Sequence, residues 1–349
     1  MDITDRLLGW YDENRRDFPF RGTSDPYRVW VSEIMLQQTG TETVKPYYIR
    51  FIARYPTLPS LARADEDDVM KLWEGLGYYS RARNLLACAR VIENEHGGEF
   101  PRTAAELAQL PGIGAYTAAA VASIAFGERV PALDGNLKRV FARLYRIRDS
   151  IDRPDTARRL YDLALESIPA DRPGDMNQAL MDLGATLCVP GTPDCPRCPL
   201  KSSCLAGDEA AGLPVRDKKK PQITEVLWVC LCTLPDGRVA VTRREKGLLR
   251  GLYLFPVSPR SGEAVPPAEE GQTGCAVLAA ARHVFTHRIW EMTVCHTPYD
   301  RERAAVRGQK VIWIPPDELD ALAFPGAMRV PLKEAFRLGA TTEEDRHEG

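Results

Sequence analysis

Four cysteines crowd one stretch, Cys188, Cys195, Cys198 and Cys204, as C-x6-C-x2-C-x5-C, while Cys88, Cys230, Cys232, Cys275 and Cys295 are scattered. Four thiolates on one irregular loop can close tetrahedrally around zinc or hold the corners of an iron-sulfur cube. Structural zinc sites usually pair two short knuckles, and only Cys195 and Cys198 make one here, so the wider arms suit the larger cluster better. Pro190, Pro193, Pro196 and Pro199 stiffen the loop. A second pattern runs Leu110-Pro-Gly-Ile-Gly-Ala-Tyr116, where Gly112 and Gly114 allow a tight turn that brings backbone N–H groups to a phosphate. Alone, such a pair commonly marks only a turn between packed helices. Asp134 precedes a helix with Leu137, Val140, Phe141 and Leu144 on one face, which makes it a good N-cap as well as a candidate catalyst. Glu33 has Val29, Trp30, Leu36 and Gln37 as its helical neighbours. It is either an ordinary exposed glutamate or a buried acid with a raised pKa.

Those residues need a scaffold, and helical periodicity supplies one up to about residue 187. Helices are expected at 3–15, 26–38, 42–54, 65–76, 81–95, 104–110, 115–126, 135–146, 154–166 and 174–187, with Gly77, Gly97 and Gly127 where segments end. After Cys204 the character changes. Gly207 to Pro221 is charged, Pro- and Gly-containing and short of large apolar groups, and reads as an exposed linker. Beyond it Glu225–Leu234 and Arg238–Arg244 read as strands around the turn Pro235-Asp236-Gly237, opening a smaller α+β domain. The expected division is an all-α domain over 1–207, a linker over 208–221, the α+β domain over 222–340 and a polar, frayed tail over 341–349.

With 349 residues, 44% hydrophobic and 27% charged, the chain is long enough for two globular cores and shows no composition typical of disorder. No apolar run approaches membrane-spanning length, and the polar start Met1-Asp2-Ile3-Thr4-Asp5-Arg6 lacks the features of a secretory signal, so the expected location is the cytosol. Reduced thiols follow from that, which favours a metal site over disulfides. A formal charge of −2 argues against indiscriminate polyanion binding. The local run Lys138, Arg139, Arg143, Arg146 and Arg148, followed by Arg153, Arg158 and Arg159, reads first as a solvated helix face.

The cysteine spacing, the Gly112–Gly114 hairpin and Leu133-Asp-Gly-Asn136, in that chain context, resemble the endonuclease III and MutY superfamily of helix-hairpin-helix DNA glycosylases. The resemblance implies a 4Fe-4S cluster on Cys188, Cys195, Cys198 and Cys204, a double-stranded DNA substrate and a monomer. It makes Asp134, with Asn136 beside it, the carboxylate that stabilises positive charge at the sugar's anomeric carbon. Glycosylases that also cleave the strand use a lysine nucleophile where this chain has Tyr116, and a phenol forms no Schiff base. A monofunctional enzyme of the MutY branch follows, leaving an abasic site. Adenine leaves poorly as an anion, so a second carboxylate must protonate it. The segment Asp25–Thr39 resembles the MutY segment whose glutamate acts on adenine N7, which assigns that task to Glu33. Arg21 and Gln178 match residues lining the adenine pocket. Gln38 and Tyr78, the latter within Trp73–Asn84, match residues that wedge into the duplex where the base flips out.

The tail domain resembles the Nudix-like domain with which MutY proteins read 8-oxoguanine opposite the adenine, its landmarks being Gly247–Pro256 and Phe285-Thr286-His287. No G-x5-E-x7-R-E-x2-E-E box is present, so nothing provides for a magnesium-dependent pyrophosphatase. The likeness covers about residues 3–340. Departures are Phe20 for a usual Trp, Gly40-Thr41 for a polar-plus-Val pair, Leu254 for an acidic residue and Thr286 for Ser.

Overall fold

A computed structural model describes residues 2–218, 221–260, 276–298 and 310–347. In chain order the helices are α1 (Ile3–Asn14), α2 (Pro26–Leu36), α3 (Thr41–Arg54), α4 (Leu58–Ala62), α5 (Glu66–Leu72), α6 (Ser80–Glu95), α7 (Ala104–Leu107), α8 (Ala115–Phe126), α9 (Gly135–Leu144), α10 (Pro154–Ser167) and α11 (Pro173–Thr186). Then come strands β1 (Ile223–Thr233), β2 (Val239–Arg243), β3 (Tyr253–Leu254), β4 (Val257–Pro259), β5 (Ala276–Val284), β6 (Arg288–Pro298) and β7 (Val311–Ile314), and helix α12 (Arg329–His347). Two compact units form: Met1–Ala64 with Asn84–Lys219, and Asp65–Arg83 with Lys220–Gly349. Among the described residues no helix is long and apolar enough to cross a membrane.

In the first unit α2 is started by Asp25, whose carboxylate accepts from Tyr27 N at 3.0 Å, and by Pro26 in the first turn. Its inner face carries Val29, Trp30, Val31, Ile34 and Met35, all buried. The partner is α8, whose Ala118, Ala119, Ala120 and Ala122 leave room for a close approach. Each large side chain so buried contributes about 1.5–3 kcal/mol. Helix α11 packs against α1, α8 and α9, which places the cysteine loop at the C-terminal end of α11 beside α9.

Several expectations need correcting. Helix α2 stops at Leu36, because Gln38 turns to φ +56. Helix α5 stops at Leu72, short of Leu76, since Gly75 and Gly77 adopt φ +92 and +75. The five-residue α4 has no counterpart in the sequence reading. The presumed linker is partly packed: Gly207–Gly212 forms a 3-10 turn, Ala206, Ala210 and Leu213 make a small apolar cluster against Cys195 and Cys204, and Ile151 N donates to Val215 O at 3.0 Å. Of the basic run, Arg139 and Arg143 are buried rather than solvated, while Arg146 and Arg148 both pair with Glu209.

The second unit is not a single stretch of chain. Asp65–Arg83, assigned by sequence to the helical domain, packs with residues 220–349. Lys71 Nζ donates to Leu322 O at 3.1 Å, Phe324 N to Glu74 Oε1 at 2.9 Å, and Arg243 Nη2 to Asp67 Oδ1 at 2.5 Å. The expected hairpin is present, with Gly237 at φ +89 in its turn. The mixed seven-stranded sheet runs β3-β2-β1-β6-β5, with β4 on β1 and β7 on β2. Central β1 pairs in parallel with β6 from Ile223↔Arg288 to Thr233↔Pro298, and α12 packs against β5 and β1. That helix extends to His347, through most of the expected tail; residues 348–349 lie outside the described residues. Leu254 is buried in β3, so an apolar residue fills the core where the resemblance had an acid.

Candidate active site

Glu33 faces inward from α2 and is 7% exposed. The first turn of α8 presents Tyr116, whose hydroxyl donates to Glu33 Oε2 at 2.5 Å and lies 3.9 Å from Met181 Sδ. Burial raises the Glu33 pKa above the usual carboxylate range; the Tyr116 hydrogen bond and the Arg21 charge hold it back, and the Asp134 charge pushes it further up. Burial together with the Glu33 and Asp134 charges raises Tyr116 well beyond an ordinary phenol, so it remains a donor. With Oε2 taken by the Tyr116 hydroxyl, Oε1 is the oxygen on which a proton can sit.

Asp134 is the N-cap of α9, its Oδ1 accepting from Leu137 N at 2.7 Å and its Oδ2 from Asn136 Nδ2 at 2.8 Å. Cap and candidate catalyst are therefore one residue, held by donors on both oxygens. Its pKa is raised by burial, against which these hydrogen bonds and the Arg139 charge act. Arg139 Nη2 donates to Asn136 Oδ1 at 2.9 Å and to Gly184 O at 2.7 Å, and Nε to Cys188 O at 2.8 Å. An arginine only donates, so the Asn136 oxygen must face it and the amide nitrogen must face Asp134. The cysteine loop is thus tied through Arg139 and Asn136 to the carboxylate.

Gly184 makes this possible, because a Cβ there would stand 2.7 Å from the Asn136 Cβ. Gly184→Ala is expected to cost about 1–3 kcal/mol of stability, as overpacking does, and to slow base release by displacing Asn136. Thermal unfolding and single-turnover excision on the same protein check this; an unchanged rate would show that Asn136 does not hold the carboxylate in place.

Arg21 and Gln178 are in contact: Arg21 Nη1 donates to Gln178 Oε1 at 2.6 Å and to Tyr11 Oη at 3.1 Å. Sequence reasoning missed the residue beneath them. Asp182, fully buried, accepts from Arg21 Nη2 at 3.1 Å and from Arg16 Nη2 at 2.6 Å. Its spacing of four from Gln178 on α11 was the available signal. The exposed Gln38 stands at the left-handed turn after α2, and Gln37 Nε2 donates to Thr117 Oγ1 at 2.9 Å. Phe20 is buried against Phe18 and Tyr48, which fills the place of the usual Trp.

The hairpin between α7 and α8 buries Ile113 and exposes Gly112 and Gly114. Gly112 has φ +74, and a Cβ on it would meet Asn84 Cβ at 2.5 Å. Gly114 begins α8 without a side-chain cap, leaving the first N–H groups open to an anion.

Cys188, Cys195, Cys198 and Cys204 line one cavity of about 300 Å³ together with Arg143. Burial pushes the Cys198 thiol up to about 11 and the Cys204 thiol in the same direction. Arg143, 1% exposed, donates to Val189 O, Gly191 O and Leu213 O at 2.8, 3.0 and 3.0 Å and reaches Cys188 Sγ at 3.4 Å. Among the described residues no three His, Cys, Asp or Glu side chains are drawn close around a single ion. Four soft sulfur donors around one cavity, with a buried cation to offset thiolate charge, fit an iron-sulfur cluster.

In the second unit Phe285-Thr286-His287 is the loop joining β5 to β6. Phe285 stacks edge-on against Trp290 and His283, at 5.0 and 4.6 Å between centroids, while Thr286 and His287 are exposed. Tyr78 is 44% exposed, stands at φ +47, and its hydroxyl lies 3.0 Å from Thr286 Oγ1.

Residues 31–164 match the family of HhH-GPD superfamily base excision DNA repair proteins, and residues 228–334 match the NUDIX domain family. The solved structure of a thermostable thymine-DNA glycosylase aligns with 59% of this chain and 95% of its own, at 32% identity and a TM-score of 0.54. Fold and site define a helix-hairpin-helix base-excision repair protein with a Nudix-like domain, as the sequence led one to expect. The adenine DNA glycosylase of Mus musculus is 33% identical over 414 residues, covering 98% of this chain and 78% of the mouse protein. That of Arabidopsis thaliana is 41% identical over 295 residues, 72% of this chain; the match spans about half of the plant protein, 46%. The chain belongs to the adenine DNA glycosylase family.

Proposed function

We propose that this protein is a monofunctional adenine-DNA glycosylase that removes adenine opposite 8-oxoguanine or guanine in duplex DNA and leaves an abasic site. The observation that carries the reading is Tyr116 bonded to buried Glu33, close enough to Asp134 for the two carboxyls to act on each other. Burial raises both carboxyls, while the donors on both Asp134 oxygens favour its anion. Glu33 keeps its proton to higher pH than a surface glutamate and delivers it from Oε1 to adenine N7. The adenine then departs as a neutral base, Asp134 faces the cationic sugar carbon, and water completes hydrolysis there.

Arg21 and Gln178, braced by Asp182, shape the base pocket, and the α7–α8 hairpin holds a backbone phosphate. Gln38 and Tyr78 wedge into the duplex, and Phe285, Thr286 and His287 read the partner base. Cys188, Cys195, Cys198 and Cys204 would hold a 4Fe-4S cluster, which would supply a structural cross-link between the loop and its helices. The protein acts as a monomer on DNA in the cytoplasm.

The test is a labelled duplex with adenine opposite 8-oxoguanine, incubated with the protein and heated in alkali. Cleavage at the adenine is expected; matched A·T and thymine opposite guanine should stay intact. Cleavage at the thymine alone would replace this reading. With Tyr116 in the lysine's place, borohydride should trap no covalent protein–DNA adduct, and a trapped band would show strand-cleaving chemistry instead.

A further inference from the structure

Tyr78 is a bulky residue in a backbone region that such residues seldom occupy, with φ +47. A conformation of this kind persists only where its surroundings over-determine it. Here the surroundings converge on Arg81. Its Nη2 donates to Gly77 O at 3.1 Å and to Leu76 O at 3.3 Å, and its backbone N donates to Tyr78 O at 2.9 Å. Trp73 Nε1 grips Gly77 O as well, at 3.1 Å. The guanidinium carbon lies 5.4 Å from the Trp73 ring centroid and 5.5 Å from that of Tyr78, so the cation is shared between two aromatic faces. Arg81 is only 7% exposed, while the ring beside it is 44% exposed. A charge has been buried beneath an aromatic side chain left in solvent.

We propose that Arg81 is a positioning residue that fixes the left-handed turn at Tyr78 and so holds the exposed ring ready for insertion into the duplex. Arg81 acts through Tyr78 and does not touch the reacting atoms. The inference rests on Tyr78 being a wedge. A lysine would keep the charge but lose the planar fork that reaches two carbonyls while stacking. The Thr286 hydroxyl fixes the other end of the phenol, so the turn and the β5–β6 loop define the ring's place together.

The test is a double-mutant cycle on the full-length, cluster-loaded protein, with Arg81→Met, Arg81→Lys, Tyr78→Ala and the Arg81→Met/Tyr78→Ala pair. Single-turnover excision of adenine opposite 8-oxoguanine and affinity for a matched duplex are measured on each. Arg81→Met is expected to slow excision about tenfold, the scale of one cation–π contact with its charged hydrogen bonds, and Arg81→Lys to recover part of this. Matched-duplex affinity of Arg81→Met should not change. In the pair, excision should match Tyr78→Ala within about twofold, because residues acting through one contact are not additive. Losses that multiply, or wild-type excision in Arg81→Met, would overturn the inference. Wild-type excision in Tyr78→Ala would remove the wedge reading itself, whereas a slow Tyr78→Ala beside a normal Arg81→Met removes only the role of Arg81. Should Arg81→Met unfold, the same cycle is run with Arg81→Lys.

Discussion

Glu33→Gln should bind duplex DNA normally and excise adenine about 10²–10⁴ times more slowly, the range that general acid catalysis contributes. Gln still accepts the Tyr116 hydroxyl but has no proton to give. Asp134→Asn should lose about 10²–10³ in rate, as removing one preorganised electrostatic partner does, with α9 intact because Asn also caps well. The cap and the charge are thereby separated at one position. The pH profile follows from the directions of the shifts. On the proposed mechanism Glu33 acts protonated, so the rate falls as pH rises through its raised pKa, and Asp134 acts ionised, so the rate also falls toward acid. Stability falls with rising pH in the same sense as the Glu33 arm of the rate. A carboxyl whose folded pKa is raised costs stability once pH climbs from its ordinary value through the raised one. Glu33→Gln should therefore unfold at a higher temperature than wild type above that window and at the same temperature below it. Single-turnover excision across pH, beside thermal unfolding of the same samples, reads both; undiminished excision in both variants would remove the two carboxyls from the chemistry.

How far these residues could be read from sequence depends on how local their causes are. Asp134 was legible because the cap, the following apolar stripe and the cysteine loop lie close along the chain. The cysteine constellation was legible by spacing, and the β1–β2 hairpin by its Pro-Asp-Gly turn. Within Asp65–Arg83 the helix Glu66–Leu72 was legible, expected as 65–76, but not the segment's place in the second unit. Two of the bonds that place it there run to the backbone of Leu322 and Phe324, and carbonyl and amide groups carry no residue identity. Arg143 looked like one more surface cation for the same reason, since its partners are the main chain of Val189, Gly191 and Leu213. Gln38 and Tyr78 were carried over as wedges, yet nothing in their types announced left-handed backbone. Arg146 and Leu249 share that backbone, so it becomes visible only in the structure and not from residue type.

Arg143→Leu should be the most damaging substitution outside the carboxyl pair, although it touches neither base nor sugar. It removes the donor from one buried carbonyl, Leu213 O, at about 1–3 kcal/mol, and from the part-buried carbonyls of Val189 and Gly191, a large share of a domain's stability of about 5–15 kcal/mol. It also removes the buried cation beside Cys188. The first unit should then fail to retain iron, unfold at a lower temperature and lose affinity even for matched duplex. Arg143→Lys should not rescue it, because one ammonium cannot span carbonyls on both sides of the loop. Cys198→Ser makes the informative contrast, since it removes a sulfur donor and leaves all of these hydrogen bonds in place. Iron content, unfolding temperature and matched-duplex affinity of the two variants separate the contributions. If Arg143→Leu binds iron and unfolds like wild type, the loop is not held by the arginine. If Cys198→Ser loses iron yet keeps its fold and duplex affinity, the arginine alone suffices to hold it. Impairment of both variants is expected, because Arg139 and Asn136 carry the loop's position to Asp134 only when Cys188 is held from its own side as well.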